Sequence, residues 1–175
     1  MADAAAEQDV LYEQAAATYT GAIERLARGY EPDPDKRRDL VQDIHLALWR
    51  SFARFAGRAS MRTWVYRVAH NTAISRIIRR RTSDPGLVTL DELVDTPAAE
   101  DGARDIDRRM ALDRLLALIQ TLDPVDRQVI LLYLEELDAQ SIADVVGISP
   151  GNVATKVHRI KQILARRFHG APHDA

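Results

Sequence analysis

Three predicted helix starts in this chain share one signature, a side-chain oxygen immediately before a proline: Asp33-Pro34, Asp123-Pro124 and Ser149-Pro150. The oxygen can accept a bond from the orphan N–H groups of a first helical turn. Proline in that turn gives up no bond the helix needs. Each pair therefore reads as the start of a helix, and each is followed by apolar residues at helical spacing. After Pro34 the stripe is Val41, Ile44, Leu48, Phe52 and Phe55, at steps of 3, 4, 4 and 3. After Pro150 it is Val153, Val157, Ile160 and Leu164, at steps of 4, 3 and 4. Alternating β-branched runs bounded by glycine are missing, so the fold class is all-α.

Helices are predicted over residues 10–28, 35–54, 60–80, 106–121, 124–136, 139–146 and 150–168. In the first, Leu11, Ala15, Tyr19, Ala22, Ile23 and Leu26 face inward. In the third the inward set is Trp64, Val65, Val68, Ala69, Thr72 and Ile78. The sequence divides into a first helical domain at 9–82, an acidic linker at 83–105 and a second helical domain at 106–168. The linker carries Asp84-Pro85-Gly86, Thr96-Pro97 and Glu100-Asp101-Gly102, a composition suited to an extended or partly disordered segment.

Net charge of −2 conceals strong segregation. Nine arginines and no acid lie between residues 44 and 83, and nine acids against three arginines between 84 and 113. Residues 150–168 hold five Lys/Arg and no acid. Blocks of one sign suit separate surfaces for separate partners; a set of solvated faces is the plainer reading.

Residues 139–151 halt one helix and start another. Gly147 suits the left-handed conformation that ends a helix, Ile148 points back to the core, Ser149 caps and Pro150 sets the next turn. Helix, short turn and helix make the helix-turn-helix arrangement, whose second helix enters the major groove with its N-terminal residues leading. Ser149, Pro150 and Gly151 open that helix. Asn152, Thr155, Lys156 and Arg159 lie on a face that packing does not need, where they can meet base edges and phosphates. A helical hairpin with a solvated basic side is the alternative.

Other classes find little support. The absence of cysteine removes disulfides, thiolate zinc sites and cysteine nucleophiles. The five histidines form no Glu-x-x-His pair, so no metal or other cofactor is expected. There is no P-loop, and no strand from which a nucleophile elbow could turn, so no catalytic residue is named. No apolar run approaches membrane-spanning length and residues 1–7 lack a signal-peptide pattern, which predicts a cytoplasmic protein.

Three blocks in order give a resemblance: DLVQDIHLALW at 39–49, FAGRASMRTWVYRVAHNTAISRIIRRR at 55–81, and LDPVDRQVILLYLEELDAQSIADVVGISPGNVATKVHRIKQIL at 122–164. The chain resembles a bacterial RNA polymerase sigma factor of the sigma-70 family, extracytoplasmic-function group. The resemblance implies a non-enzymatic protein that binds core RNA polymerase through the largest-subunit clamp helices and the flap region. It also implies recognition of two promoter elements, help in opening the DNA, and an anti-sigma protein as a candidate partner. Asp39, Gln42 and Asp43 would dock on the clamp helices, although the two acids also suit the positive end of their own helix. The resemblance assigns Arg58, Ser60, Met61, Arg62, Trp64, Arg67, Asn71, Arg76, Arg79 and Arg80 to the minus-ten element and melting. Separated strands need a cationic track and a pocket for an unstacked base, here the loop at 56–60. Trp64 reads as a core residue first. Ser149, Pro150, Gly151, Asn152, Thr155, Lys156 and Arg159 would read the minus-thirty-five element. The acidic linker would occupy a channel that otherwise holds RNA, or serve as a solvated spacer.

Met61, Ser75 and Ala154 depart from residues common in the family. Two other readings stand beside this one: a helix-turn-helix regulator that is not a polymerase subunit, and an interaction module that mimics a sigma factor.

Overall fold

The computed structural model describes residues 2–83 and 103–170. Among these residues there are seven helices and no strand: α1 (Ala2–Tyr30), α2 (Pro34–Phe52), α3 (Met61–Ser83), α4 (Ala103–Gln120), α5 (Pro124–Leu134), α6 (Ala139–Val146) and α7 (Pro150–Gly170). The acidic linker expected at 83–105 lies outside the described residues except at its two ends.

The starts of α2, α3, α5 and α7 have the chemistry their sequence offers. Asp33 accepts from the N–H groups of Asp35 and Lys36 at 2.9 and 3.2 Å, and Asp123 from those of Val125 and Asp126, both at 3.0 Å. Ser60 Oγ accepts from Thr63 N–H at 3.1 Å, and Ser149 Oγ from Asn152 N–H at 3.3 Å. Caps of this kind stabilise a helix by about 1 kcal/mol. Asp138 also caps, accepting from Ser141 N–H at 2.7 Å, and Gly147 closes α6 with φ +81°. At the end of α5 a non-glycine residue does that job. Glu136 has φ +59°, and the next N–H, that of Leu137, bonds back to Leu132 O at 3.2 Å.

α1, α2 and α3 form one bundle around Ala15, Ile23, Leu26, Ile44, Leu48, Val65 and Ala69. α4 to α7 form a second around Ile119, Val129, Leu132, Ile142, Val153 and Ile160. α1 starts eight residues before the predicted boundary because the Ala-rich opening propagates helix where no apolar stripe marks it. That first part is tied to α2: Gln8 Nε2 donates to Trp49 O at 2.7 Å, and Trp49 Nε1 donates to Asp9 at 2.8 Å. Leu40 is buried and Val41 only half-buried, a small rotation of α2 from the predicted stripe. Ile78, expected inward, is 52% exposed, because α3 turns the neighbouring Ile77 to the core instead.

His70 is fully enclosed and its Nδ1 meets Tyr30 Oη at 2.6 Å. Burial drives the imidazole down to about 3, so it stays neutral.

The two bundles pack against each other. Gly29 of α1 lies so near Leu131 of α5 that an added Cβ would stand 2.5 Å from Leu131 Cδ2. Beside it the Arg127 guanidinium lies 5.8 Å from the Tyr30 ring centre, and Gln120 Nε2 donates to Arg28 O at 3.0 Å. The predicted domains are thus joined by a seam as well as by a chain segment.

Candidate nucleic-acid interface

The turn between α2 and α3 builds a cavity of about 700 Å³. Its floor is Phe55 and Trp64, with ring centres 5.3 Å apart in an edge contact. Trp64 Nε1 donates to Ser51 Oγ at 2.9 Å, which fixes the indole. Trp64 is therefore both packed, as its spacing indicates, and a wall of the cavity. Gly57 at φ +67° turns the loop, and Arg58, Ser60 and Thr63 complete the rim. Arg54 and Arg67 add two further cations to the lining. An aromatic floor under cationic walls suits an unstacked base with its phosphates. Met61 is half-buried against the hydrophobic core instead of lining the cavity.

The arginines of α3 lack acids near them in sequence, but the fold brings carboxylates to them. Arg76 donates to Asp43 Oδ2 at 2.6 Å and lies 3.7 Å from Asp39. Arg80 pairs with the buried Glu31. Asp39, Gln42 and Asp43 share one exposed face of α2, as their spacing predicts, yet two of the three are engaged with Arg76. Arg79 Nε donates to Ser75 O at 3.3 Å, one turn back, and Asn71 is exposed.

Arg62 and Arg67 reach across the seam. Arg62 Nη2 donates to Glu135 O at 2.6 Å, and Arg67 Nη2 donates to Asp144 O at 2.7 Å. Asp144 of α6 thereby becomes one wall of the cavity. The Glu135 carboxylate accepts from Arg25 and from Tyr66 Oη. Burial pushes the Glu135 carboxyl up, but the bonds and charge of Arg25, with the Tyr66 bond, outweigh it and hold the group below its ordinary value. Burial together with the neighbouring Glu135 carboxylate pushes the Tyr66 phenol up to about 12.

α6, Gly147 and α7 form the predicted helix-turn-helix, with α6 spanning the predicted residues. Ser149, Pro150, Gly151, Asn152 and Thr155 are exposed at the start of α7, and Thr155 Oγ1 donates back to Gly151 O at 3.0 Å. Lys156 and Arg159 are not loose. Lys156 Nζ donates to Asp126 Oδ1 at 2.6 Å, and Arg159 Nη2 donates to Asp126 Oδ2. Asp126 is only 4% exposed.

Sequence reasoning passed over Asp126, Glu135 and Asp144. Asp126 and Asp144 sit in helices and Glu135 just past the end of α5, where a charge looks solvated until the partner helix is placed. The only sequence signal was Asp126 beside Arg127 and Gln128 at the start of a helix whose remaining residues are apolar or aromatic.

Two family models match the chain, one described as Sigma-70 region 2 over residues 16–83 and one as Sigma-70, region 4 over residues 112–164. The chain is 27% identical over 168 residues to the RNA polymerase sigma-E factor of Streptomyces avermitilis, covering 94% of this chain and 88% of that protein. It is 29% identical over 150 residues to the ECF RNA polymerase sigma factor SigG of Mycobacterium tuberculosis. That match covers 72% of this chain but only 40% of SigG. Among solved structures, CnrH in complex with the cytosolic domain of CnrY has the same fold at a TM-score of 0.70, with 22% identity over 98% of this chain and 96% of that one. The Bartonella quintana sigma factor RpoE, solved with the anti-sigma factor NepR, matches at 0.71, with 18% identity over 93% of this chain and 98% of that one.

Proposed function

Since the chain belongs to the sigma-70 family, we propose that it binds core RNA polymerase and directs promoter-specific initiation without catalysing chemistry itself. The observation that carries this is the aromatic-floored, arginine-rimmed cavity in one bundle, paired with a helix-turn-helix in the other. A regulator that merely reads duplex DNA has use for the second and none for the first. Residues 9–82 dock on the enzyme through Asp39, Gln42 and Asp43 and hold the opened minus-ten strand. Arg58, Ser60, Trp64 and Arg67 surround the extruded base; Arg62, Asn71, Arg76, Arg79 and Arg80 follow the backbone, with Met61 supporting the loop from the core side. Residues 106–168 read the minus-thirty-five element through Ser149, Pro150, Gly151, Asn152, Thr155, Lys156 and Arg159.

In the closed arrangement Arg62 and Arg67 are held by backbone oxygens of α5 and α6. Their use on DNA requires the seam to part, which polymerase drives by binding the two bundles at separate places. An anti-sigma protein fits the same logic, as a partner that binds the two bundles and keeps them off the enzyme. These activities belong in the cytoplasm, in keeping with the absence, among the described residues, of a helix long and apolar enough to cross a membrane.

The test is transcription from genomic DNA by purified bacterial core polymerase with and without the chain, mapping 5′ ends. Discrete start sites that need the chain support the proposal; their absence, with core enzyme active on unprimed control templates, refutes it.

A further inference from the structure

We propose that Asp126 is a positioning residue for DNA recognition: one enclosed carboxylate on α5 aims Arg159 and withholds Lys156 from nonspecific phosphate contact. The inference rests on the assignment of α7 as the DNA-reading helix. Asp126 lies in the first turn of α5, is 4% exposed, and gives one oxygen to each cation. Lys156 and Arg159 are three residues apart on α7, so they occupy one helix face.

The energetics favour a specific role. Two cationic partners offset the cost of enclosing a carboxylate, and the positive end of α5 favours it there. Two cations and one acid leave the face with a net charge of +1 where the sequence alone reads +2. A guanidinium has five N–H donors in a rigid fork. Engaging Nη2 fixes the plane of the Arg159 group and leaves other donors for a base edge, since its side chain remains 55% exposed. Lys156, at 29% exposure, is the more deeply held of the two. A mobile cation binds any phosphate; a fixed fork binds where its geometry is matched.

The experiment compares the full-length chain with its Asp126→Asn and Asp126→Glu variants. The first readout needs no polymerase: the salt dependence of binding to a random-sequence duplex. Freeing the cations makes log K fall more steeply with log salt, by about 1 to 2 units of slope for Asp126→Asn. Asp126→Glu, which keeps the charge, restores the wild-type slope. The second readout is the preference of holoenzyme for a mapped promoter over the same promoter with a scrambled upstream element, expected to fall about tenfold for Asp126→Asn. Should Asp126→Asn fail to fold, Asp126→Ser carries the same readouts.

A folded, uncharged variant with the wild-type slope, or an Asp126→Glu slope as steep as that of Asp126→Asn, overturns the proposal. An ion pair that only stabilises packing would lower the melting temperature and leave both readouts unmoved. If no promoter is found at all, the proposed function fails while the duplex salt slope still decides the role of Asp126.

Discussion

The Glu135 carboxylate takes two hydrogen bonds from Arg25, at 2.7 and 2.8 Å, across 110 residues of sequence. It also accepts one from Tyr66 Oη at 3.0 Å, while the Arg62 guanidinium binds the same residue's backbone oxygen at 2.6 Å. One residue at the end of α5 thus gathers donors from both α1 and α3. Glu135 is 14% exposed in its side chain and Arg25 is 62% exposed, so the pair is screened on one side only.

Glu135→Gln should weaken the seam by roughly 1 kcal/mol or less, given the exposure of Arg25. The folded-state carboxyl titrates below its ordinary value of 4.5. Its contribution is therefore present above that value and is lost as pH falls through the depressed one. Chemical denaturation at stepped pH should show wild type and Glu135→Gln converging as the solution becomes acidic. A gap that persists there would locate the stabilisation elsewhere.

Gly29→Ala tests the seam by volume instead of charge. The new methyl meets Leu131, which is itself 5% exposed and has little room to retreat. The expected cost is about 1–3 kcal/mol, expressed as separation of the bundles with helix content unchanged. Small-angle scattering should report a larger radius of gyration for the variant; equal radii would mean that the seam absorbs the methyl.

Asp43→Arg should abolish capture of core polymerase, by reversing charge on the proposed docking face and by setting a cation against Arg76, its partner at 2.6 Å. Arg76→Ala separates the two effects. It leaves Asp43 exposed and acidic, and should retain binding in a pull-down while slowing strand opening. Loss of capture in both variants would make the pair, and not the acidic face, the requirement.

His70 is enclosed and neutral, titrating near 3 against an ordinary 6.5. A base depressed in the folded state destabilises folding as pH falls below its unfolded value. The slope approaches about 1.4 kcal/mol per pH unit until the folded value is reached. Denaturant melts between neutral pH and pH about 5 should show that slope, and His70→Gln should remove it.

Glu136→Gly should raise stability by up to about 1 kcal/mol, because a β-carbon in the left-handed region is strained and glycine is not. A melting temperature that rises without change in the Arg25–Glu135 contact is the expected result.

Most of the helices were readable because the forces that start and stop them act within four residues. Asp33, Asp123, Gly147 and Ser149 do in the structure what their neighbours in sequence announce. The helix-turn-helix and the cavity loop are local in the same sense. Less readable was which side of a helix faces in near its ends. Leu40 displaces Val41 and Ile78 is exposed, since α2 and α3 meet neighbours whose placement no local pattern encodes.

The sequence alone determined an all-helical chain, its caps, its helix-turn-helix and a run of arginines without nearby acids, because periodicity and capping are properties of contiguous residues. Tertiary structure alone decided which carboxylates answer which cations, Asp43 for Arg76, Asp126 for Lys156 and Arg159, Glu135 for Arg25. Electrostatic pairing depends on distance in space, and these partners, 33, 30, 33 and 110 residues apart along the chain, are brought together by how the helices pack.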